Sequence, residues 1–365
     1  MMICIAILAL TAASVIAGIV YMTAAIGRFK LLREVKNLWL RRMLSFGIIA
    51  LGFAVCSAVL DLFNAVVVFL NVLIFFLLSG LIVRIVKAVT KKDFAVNWQG
   101  WSALLAAVVY LSVGYYLCMN VWQTDYTLYT DKLSEKVRIA VFADSHIGTT
   151  FDGEGFAEHI EAIKKQFPDI VLIPGDYVDD STSRADMVRA CEALGSIDAK
   201  YGVWFAFGNH DKGYYSGRDF TADDLVNELE KNGVRVLEDG IEYTGDVCVI
   251  GRADASTGAR KEMSELLGAV DTNKYIIVLD HEPSDYENQA GSAADLVVSG
   301  HTHGGQVIPL GYIGELLGMN DMTYGHKRIE NTDFVVTSGI SDWAFWFKTG
   351  TKSEYVIIEL RGSET

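Results

Sequence analysis

The chain has 365 residues, 51% of them hydrophobic, yet it carries a net charge of -14. Cut near residue 126, the two properties separate: residues 1–126 hold a net +6 and the remainder a net -20. A second part that acidic, with no basic stripe, argues against nucleic acid as a partner, because a polyanion would be repelled.

The first part reads as membrane. Apolar runs almost free of charge predict four helices, at about 2–26, 43–60, 63–83 and 101–122. Each approaches or exceeds the ~18–20 residues that cross a hydrocarbon core, where lipid leaves the backbone no partner but itself. A cleaved signal peptide is disfavoured, since the basic cluster follows the first run instead of preceding it. The loop from Arg28 to Arg42 is net +5, that from Arg84 to Asp93 is net +3, and the turn Asp61–Asn64 has no basic residue. Four spans put both basic loops on one side, assigned to the cytoplasm by the positive-inside tendency, with everything after Trp122 outside. The expectation is an integral plasma-membrane protein with an extracytoplasmic domain. Asp61, Asn64 and Asn71 read as turn and helix-end residues. Too few buried ionisable groups lie in the spans for a transporter.

Residues 123–136, polar and mixed in charge, read as a tether. From Val137 onward, short apolar runs alternate with amphipathic ones. Strands are expected in VRIAVFA (137–143), DIVLIPG (169–175), YGVWFAFG (201–208), VCVIG (247–251), YIIVLD (275–280), ADLVVSG (294–300), FVVTSG (334–339) and EYVIIEL (354–360). Helical patterns cover 156–167, 184–194, 220–231 and 259–268. Such alternation predicts an α/β fold whose sheets are covered on their faces. Cys191 and Cys248, the two cysteines outside the spans, show no disulfide framework.

The polar residues fall at the strand ends. Asp144 and His146 follow the first strand, and Asp176 and Asp179 the second. Asn209 and His210 follow YGVWFAF, His281 follows YIIVLD, and His301 and His303 follow ADLVV. Five of the seven histidines in the chain occupy these ends, the edge where α/β sheets hold ligands. Carboxylate, amide and imidazole donors with no thiolate suit hard or borderline divalent ions. His159 reads as solvent-facing, Asp180 and Asp211 as turn or capping residues, and Asp280 has no assigned role. His326 lies in a loop-like stretch.

In this order, D-x-H, GDYVD, GNHD, a lone His and GHTHGGQ, the chain resembles the calcineurin-like metallophosphoesterase superfamily, in its membrane-associated bacterial branch. The resemblance covers 138–306 and extends toward 360. It implies a four-layer sandwich of two mixed β-sheets flanked by helices, spanning 137–361 after a transmembrane region of 1–126. It also implies two divalent ions, manganese first, with iron, zinc or magnesium as alternatives. Asp144, His146 and His303 would bind one ion, Asn209, His281 and His301 the other, and Asp176 would bridge them. His210, oriented by Asp179, would be the general acid, while a metal-bridging hydroxide attacks phosphorus in line. The implied activity is hydrolysis of phosphoric mono- or diesters. The alternative is a metal-binding membrane sensor or interaction protein without turnover, which would have no need of an acid.

The stretch SGISDWAFWFKTG departs from that branch, in which a Gly-rich turn and a basic residue usually lead into the last strands. Trp343, Phe345, Trp346 and Phe347 are four aromatics in five residues. Part of this is expected as core, and part as an aromatic lip at the bilayer interface. A phospholipid or lipid-linked phosphate is the substrate class that such a lip suggests.

Overall fold

The computed structural model describes residues 2–362 other than 215, 216, 269 and 309, with side chains other than those of 2–12 and 310. The chain forms two compact units, Met1–Val113 and Gly114–Thr365.

The first unit holds α1 (Met2–Ile26), α2 (Lys30–Arg33), α3 (Leu38–Val59), α4 (Leu62–Thr90) and most of α5 (Trp98–Met119). Among the described residues, α3, α4 and α5 are long and apolar enough to cross a membrane, and Ala13–Ile26 of α1 is a shorter apolar stretch. Four spans were expected; three meet the criterion. Helix α4 outruns the expected 63–83 because it continues through Arg84 and Lys87, ending where Lys91 takes a left-handed backbone (φ 51°). Asp61 caps α4, its carboxylate accepting the Asn64 N–H at 2.9 Å, which is the helix-end role its position suggests.

The second unit corrects two expectations. Helix α5 stops at Met119 instead of 122, and the supposed tether at 123–136 largely becomes a strand, β1 (Val121–Thr130). It lies parallel to β12 (Ser353–Gly362), in register from Val121 opposite Ser353 to Thr130 opposite Gly362. Polarity misleads here because β1 is an edge strand: its Val, Thr and Tyr residues favour the pleat, while Gln123 and Asp125 sit where water reaches them.

The remaining strands are β2 (Val137–Val141), β3 (Ile170–Pro174), β4 (Val203–Ala206), β5 (Val234–Leu237), β6 (Gly240–Thr244), β7 (Val247–Gly251), β8 (Tyr275–Leu279), β9 (Leu296–Ser299), β10 (Gly325–Ile329) and β11 (Thr332–Val336). Two six-stranded sheets result, ordered β1-β12-β2-β3-β4-β5 and β10-β11-β9-β8-β7-β6. Both are mixed: β2, β3, β4 and β5 run parallel, as do β7, β8, β9 and β11, while β12 with β2, β6 with β7 and β10 with β11 are antiparallel.

Period-two alternation assigns the faces. Ile139, Val141, Ile170, Leu172 and Trp204 meet Val249, Ile277, Leu279 and Val298 in a core between the sheets. The intervening Ala140, Phe142, Val171, Ile173 and Phe205 pack outward against α6 (Gly153–Lys164), α7 (Arg184–Gly195) and α8 (Ala222–Lys231). On the far face, Ile250, Ile276 and Val278 pack against α9 (Met263–Leu267) and α10 (Tyr286–Ala290). The last helix is a single turn, α11 (Ile313–Leu316). Helix α9 is much shorter than the expected 259–268. The longer helices start where a side chain can accept the first free amides: Asp152 from Gly155, Ser183 from Asp186, and Thr221 in a capping box with Asp224, each worth roughly 1 kcal/mol. Cys191 and Cys248 are free and buried, in clusters on opposite outer faces.

Candidate metal centre

Strands β2, β3, β4, β8 and β9 each release their polar residues just past their C-terminal ends. The loops there are tightly curled. Asp144, His146, Asp176, His301 and His303 all have positive φ (53°, 35°, 51°, 69° and 48°), a region that costs a non-glycine residue ~1–3 kcal/mol and persists only where the surroundings enforce it. Five of the seven candidate ligands therefore share one unusual backbone state.

Hydrogen bonds between loops hold that state. The Asp211 carboxylate accepts the N–H groups of Asp176 (2.9 Å) and Gly208 (2.7 Å) on Oδ2, and those of Tyr177 (2.8 Å) and Val178 (3.1 Å) on Oδ1. It locks the β3 loop to the β4 loop, a role larger than the turn or cap expected of it. The Asp176 Oδ1 accepts the His210 N–H at 2.8 Å, and the Asp144 carboxylate accepts the His301 N–H at 2.9 and 3.1 Å. Glycine is required beside both carboxylates: a Cβ on Gly208 would run into that of Asp176, and one on Gly300 into that of Asp144.

Two groups of donors face each other. Asp144, His146 and His303 bring ligand atoms within 4.8 Å of one another, as do Asp176, His281 and His301. In the second group, His281 Nε2 lies 3.2 Å from Asp176 Oδ2, 3.1 Å from Asn209 Oδ1 and 3.2 Å from His301 Nδ1. Asn209 Oδ1 is also 3.0 Å from His301 Nδ1. Asp176 sits between the groups, with Oδ2 3.6 Å from His146 Nε2.

Partners behind the ligands set the tautomers. A carbonyl only accepts, so His281 Nδ1 donates to Pro174 O at 2.9 Å and presents Nε2 inward. The Asp179 Oδ2, 3.1 Å away, likewise accepts the N–H of His146 Nδ1, leaving a buried Nε2 with no hydrogen-bond partner. Asp179 faces two imidazoles, since its Oδ1 is 3.4 Å from His210 Nδ1. The third compact trio, His146, Asp179 and His210, is thus a shared orienting carboxylate.

The electrostatics match. Burial pushes the Asp176 carboxyl up, but the His281, His146 and His210 imidazoles outweigh it and hold it well below the carboxylate range. Burial also pushes His281 down, yet Asp176 and Asp144 lift it well above the usual imidazole value. His301 is driven down to about 4 by burial and the adjacent His281. Imidazole nitrogens, an amide oxygen and a carboxylate oxygen at 3.0–3.2 Å from one another cohere only around a proton or a cation. This donor set, rich in nitrogen and oxygen, fits divalent metal.

Other features escape a reading by motif. A fully buried ion pair, Lys348 Nζ to Asp342 Oδ1 at 3.0 Å, stands behind His303, whose Nδ1 is 3.6 Å from the same oxygen. Lys348 also donates to Ser338 O at 2.6 Å. The rings of Tyr214 and Trp343 flank His210 at 5.1 and 5.6 Å. The departure at 338–350 is the sequence signal for the pair and for Trp343. His159 is not solvent-facing but half-buried, its ring 5.0 Å from Phe151. His326 pairs with Asp333 at 2.8 Å, and Asp280 is a buried partner of Arg252 and Arg260 at 2.8 and 3.1 Å.

A two-sheet α/β domain whose strand ends gather histidine, asparagine and aspartate into two facing donor groups defines a metal-centred hydrolase class. The calcineurin-like phosphoesterase family model matches residues 137–305, and a metallophosphoesterase of Aquifex aeolicus is 30% identical over 65% of this chain and 90% of its own length. The chain belongs to the calcineurin-like phosphoesterase family, which places it among metal-dependent phosphoester hydrolases. A metallophosphoesterase of Campylobacter jejuni is 28% identical over 64% of this chain, which spans 61% of that relative's length. A Danio rerio transmembrane protein with a metallophosphoesterase domain is 26% identical over 82% of this chain and 72% of its own. That similarity and the three long apolar helices make this a membrane protein. Among solved structures, a dimetal phosphatase from Danio rerio aligns with TM-score 0.36 and 11% identity over 56% of this chain and 87% of that one.

Proposed function

We propose that the protein is a membrane-anchored phosphoesterase that hydrolyses phosphoric mono- or diesters by in-line displacement at phosphorus. The observation that carries this reading is the convergence of two donor groups on either side of Asp176. Asp144, His146 and His303 would hold one divalent ion, Asn209, His281 and His301 a second, with Asp176 shared and manganese the first candidate. Bound there, the pair would supply Lewis-acid polarisation of the phosphoryl oxygens and an acidified water.

His210 does the proton work of the chain itself. Burial pulls its pKa down, but Asp179, together with Asp176 and Asp211, raises it overall, so it stays protonated to higher pH than a free imidazole. With Nδ1 turned to Asp179, Nε2 is the atom that donates to the leaving oxygen, a contribution of ~10²–10⁴ in rate. An acid oriented by a carboxylate argues against a sensor that only binds metal.

The substrate class in this reading is phospholipid or lipid-linked phosphate, supported by Trp343, the one exposed aromatic of the expected lip; Phe347 is buried and Phe345 and Trp346 are half-buried. The topology is four spans, α1 supplying the fourth, with basic loops cytoplasmic and the second unit outside. The test uses the full chain in detergent with Mn²⁺, on a chromogenic diester, a monoester and a lipid phosphate. Turnover that Asp176→Asn abolishes, and that His210→Ala cuts by ~10²–10⁴, supports the proposal. Metal binding without turnover on all three refutes it. A membrane-impermeant thiol reagent that fails to label Lys231→Cys in intact cells refutes the orientation.

A further inference from the structure

The loop after GHTHGGQ is apolar on its outside. Between Val307 and Asn320 the only charged residue is Glu315, and its carboxylate turns inward to accept the N–H and hydroxyl of Thr323 at 3.1 and 2.7 Å. The outer face is left to Leu316, Leu317 and Met319, which are 83%, 67% and 70% exposed, with Tyr312 and Ile313 beside them. An apolar patch of this kind on a charged domain marks an interaction surface.

What covers it follows from where the loop is tied. Ile308 N–H donates to Thr349 Oγ1 at 3.2 Å, and the Thr349 methyl lies against the position a Cβ would take on Gly114 of α5. Lys348 N–H donates to Gly114 O at 3.0 Å, and the Phe347 ring is 6.4 Å from that of Tyr115. Helix α5 is of membrane-spanning length; its end carries Tyr115 and Tyr116, and Trp122 follows at the start of β1, its ring 6.1 Å from that of Tyr116. Such rings settle at the headgroup level of a bilayer. Through Thr349 and Lys348 the loop is thus tied to the C-terminal turns of α5. Trp343, whose carbonyl accepts from Gln306 at 3.2 Å, connects the same level to His210.

We infer that the segment Tyr312–Met319 inserts into the outer acyl region of the bilayer, so that the metal centre opens toward the membrane surface. Resting on the phosphoesterase reading, this makes amphiphilic phosphate esters, delivered laterally from the leaflet, the substrates. The insertion itself is tested without turnover, so the two readings fail separately.

The full chain, as Leu317→Cys or Lys231→Cys, is labelled with a nitrobenzoxadiazole thiol probe. It is placed in nanodiscs of phosphatidylethanolamine and phosphatidylglycerol, with identically treated wild type as background. The expected result is quenching of the probe at 317, but not at 231, by a lipid spin-labelled near the top of its acyl chain. Reduction by aqueous dithionite should be at least tenfold slower at 317. Equal behaviour at the two positions overturns the inference. So does protection from dithionite without lipid quenching, which would mean that protein covers the loop.

Discussion

Asp211 offers the sharpest test of how the centre is held. Its carboxylate accepts four buried backbone N–H groups, two on each oxygen. Asp211→Ala strands all four, and an unsatisfied buried donor costs ~1–3 kcal/mol. Relief of a buried charge, which burial and the neighbouring Asp176 already disfavour by pushing the Asp211 pKa up, offsets part of that sum. A net loss of about 3–5 kcal/mol is expected, the range for breaking a buried charged contact. For a unit of this size, that lowers the melting temperature by roughly 6–20 °C. Asp211→Asn keeps the acceptor for one pair of amides and turns an NH₂ toward the other, so it should fall between wild type and alanine. Because the same bonds position Asp176, metal affinity should drop about 10–100-fold, as for other supports behind a ligand. Calorimetry of the metal-free protein and Mn²⁺ titration check both. A melting temperature within 2 °C of wild type, or unchanged affinity, would refute the reasoning.

Three further outcomes follow from the same geometry. Asp179 raises the His210 pKa, so Asp179→Asn should move the alkaline limb of the kcat/KM profile to lower pH; a limb that stays put or rises contradicts the assignment. Lys348→Met leaves the buried Asp342 carboxylate unpaired and should cost about 3–5 kcal/mol in thermal unfolding, while Lys348→Met with Asp342→Asn should recover most of that loss. Gly208→Ala forces a Cβ against the Asp176 carboxylate and should impair Mn²⁺ binding by calorimetry without loss of the folded circular-dichroism spectrum.

The eight strands expected from apolar runs are all present, and the four that were not expected are the four sheet edges: β1, β5, β6 and β10. Central strands are buried on both faces, so their residues must be apolar and announce themselves. Edge strands bury one face at most and tolerate Gln123, Glu242 and Lys327, which makes them resemble linkers. The candidate ligands were legible for a related reason. Metal chemistry restricts each position to a few residue types, and strand ends place them at recognisable intervals.

The groups that support those ligands were not legible. Asp211, Asp342 and Lys348 act by standing behind a backbone amide or another side chain, and many local sequences could supply a charge there. Identity and spacing along the chain thus determined the class of donor atoms and the alternation of strands and helices. Only the folded packing decided which carboxylate would lock two loops together. It also decided that α5 would lead straight into a strand, and that an apolar loop would be tied, through Thr349 and Lys348, to the last turns of that helix. Those outcomes depend on contacts between segments from about 35 to more than 200 residues apart, where burial and unpaired amides select a partner that no local pattern records.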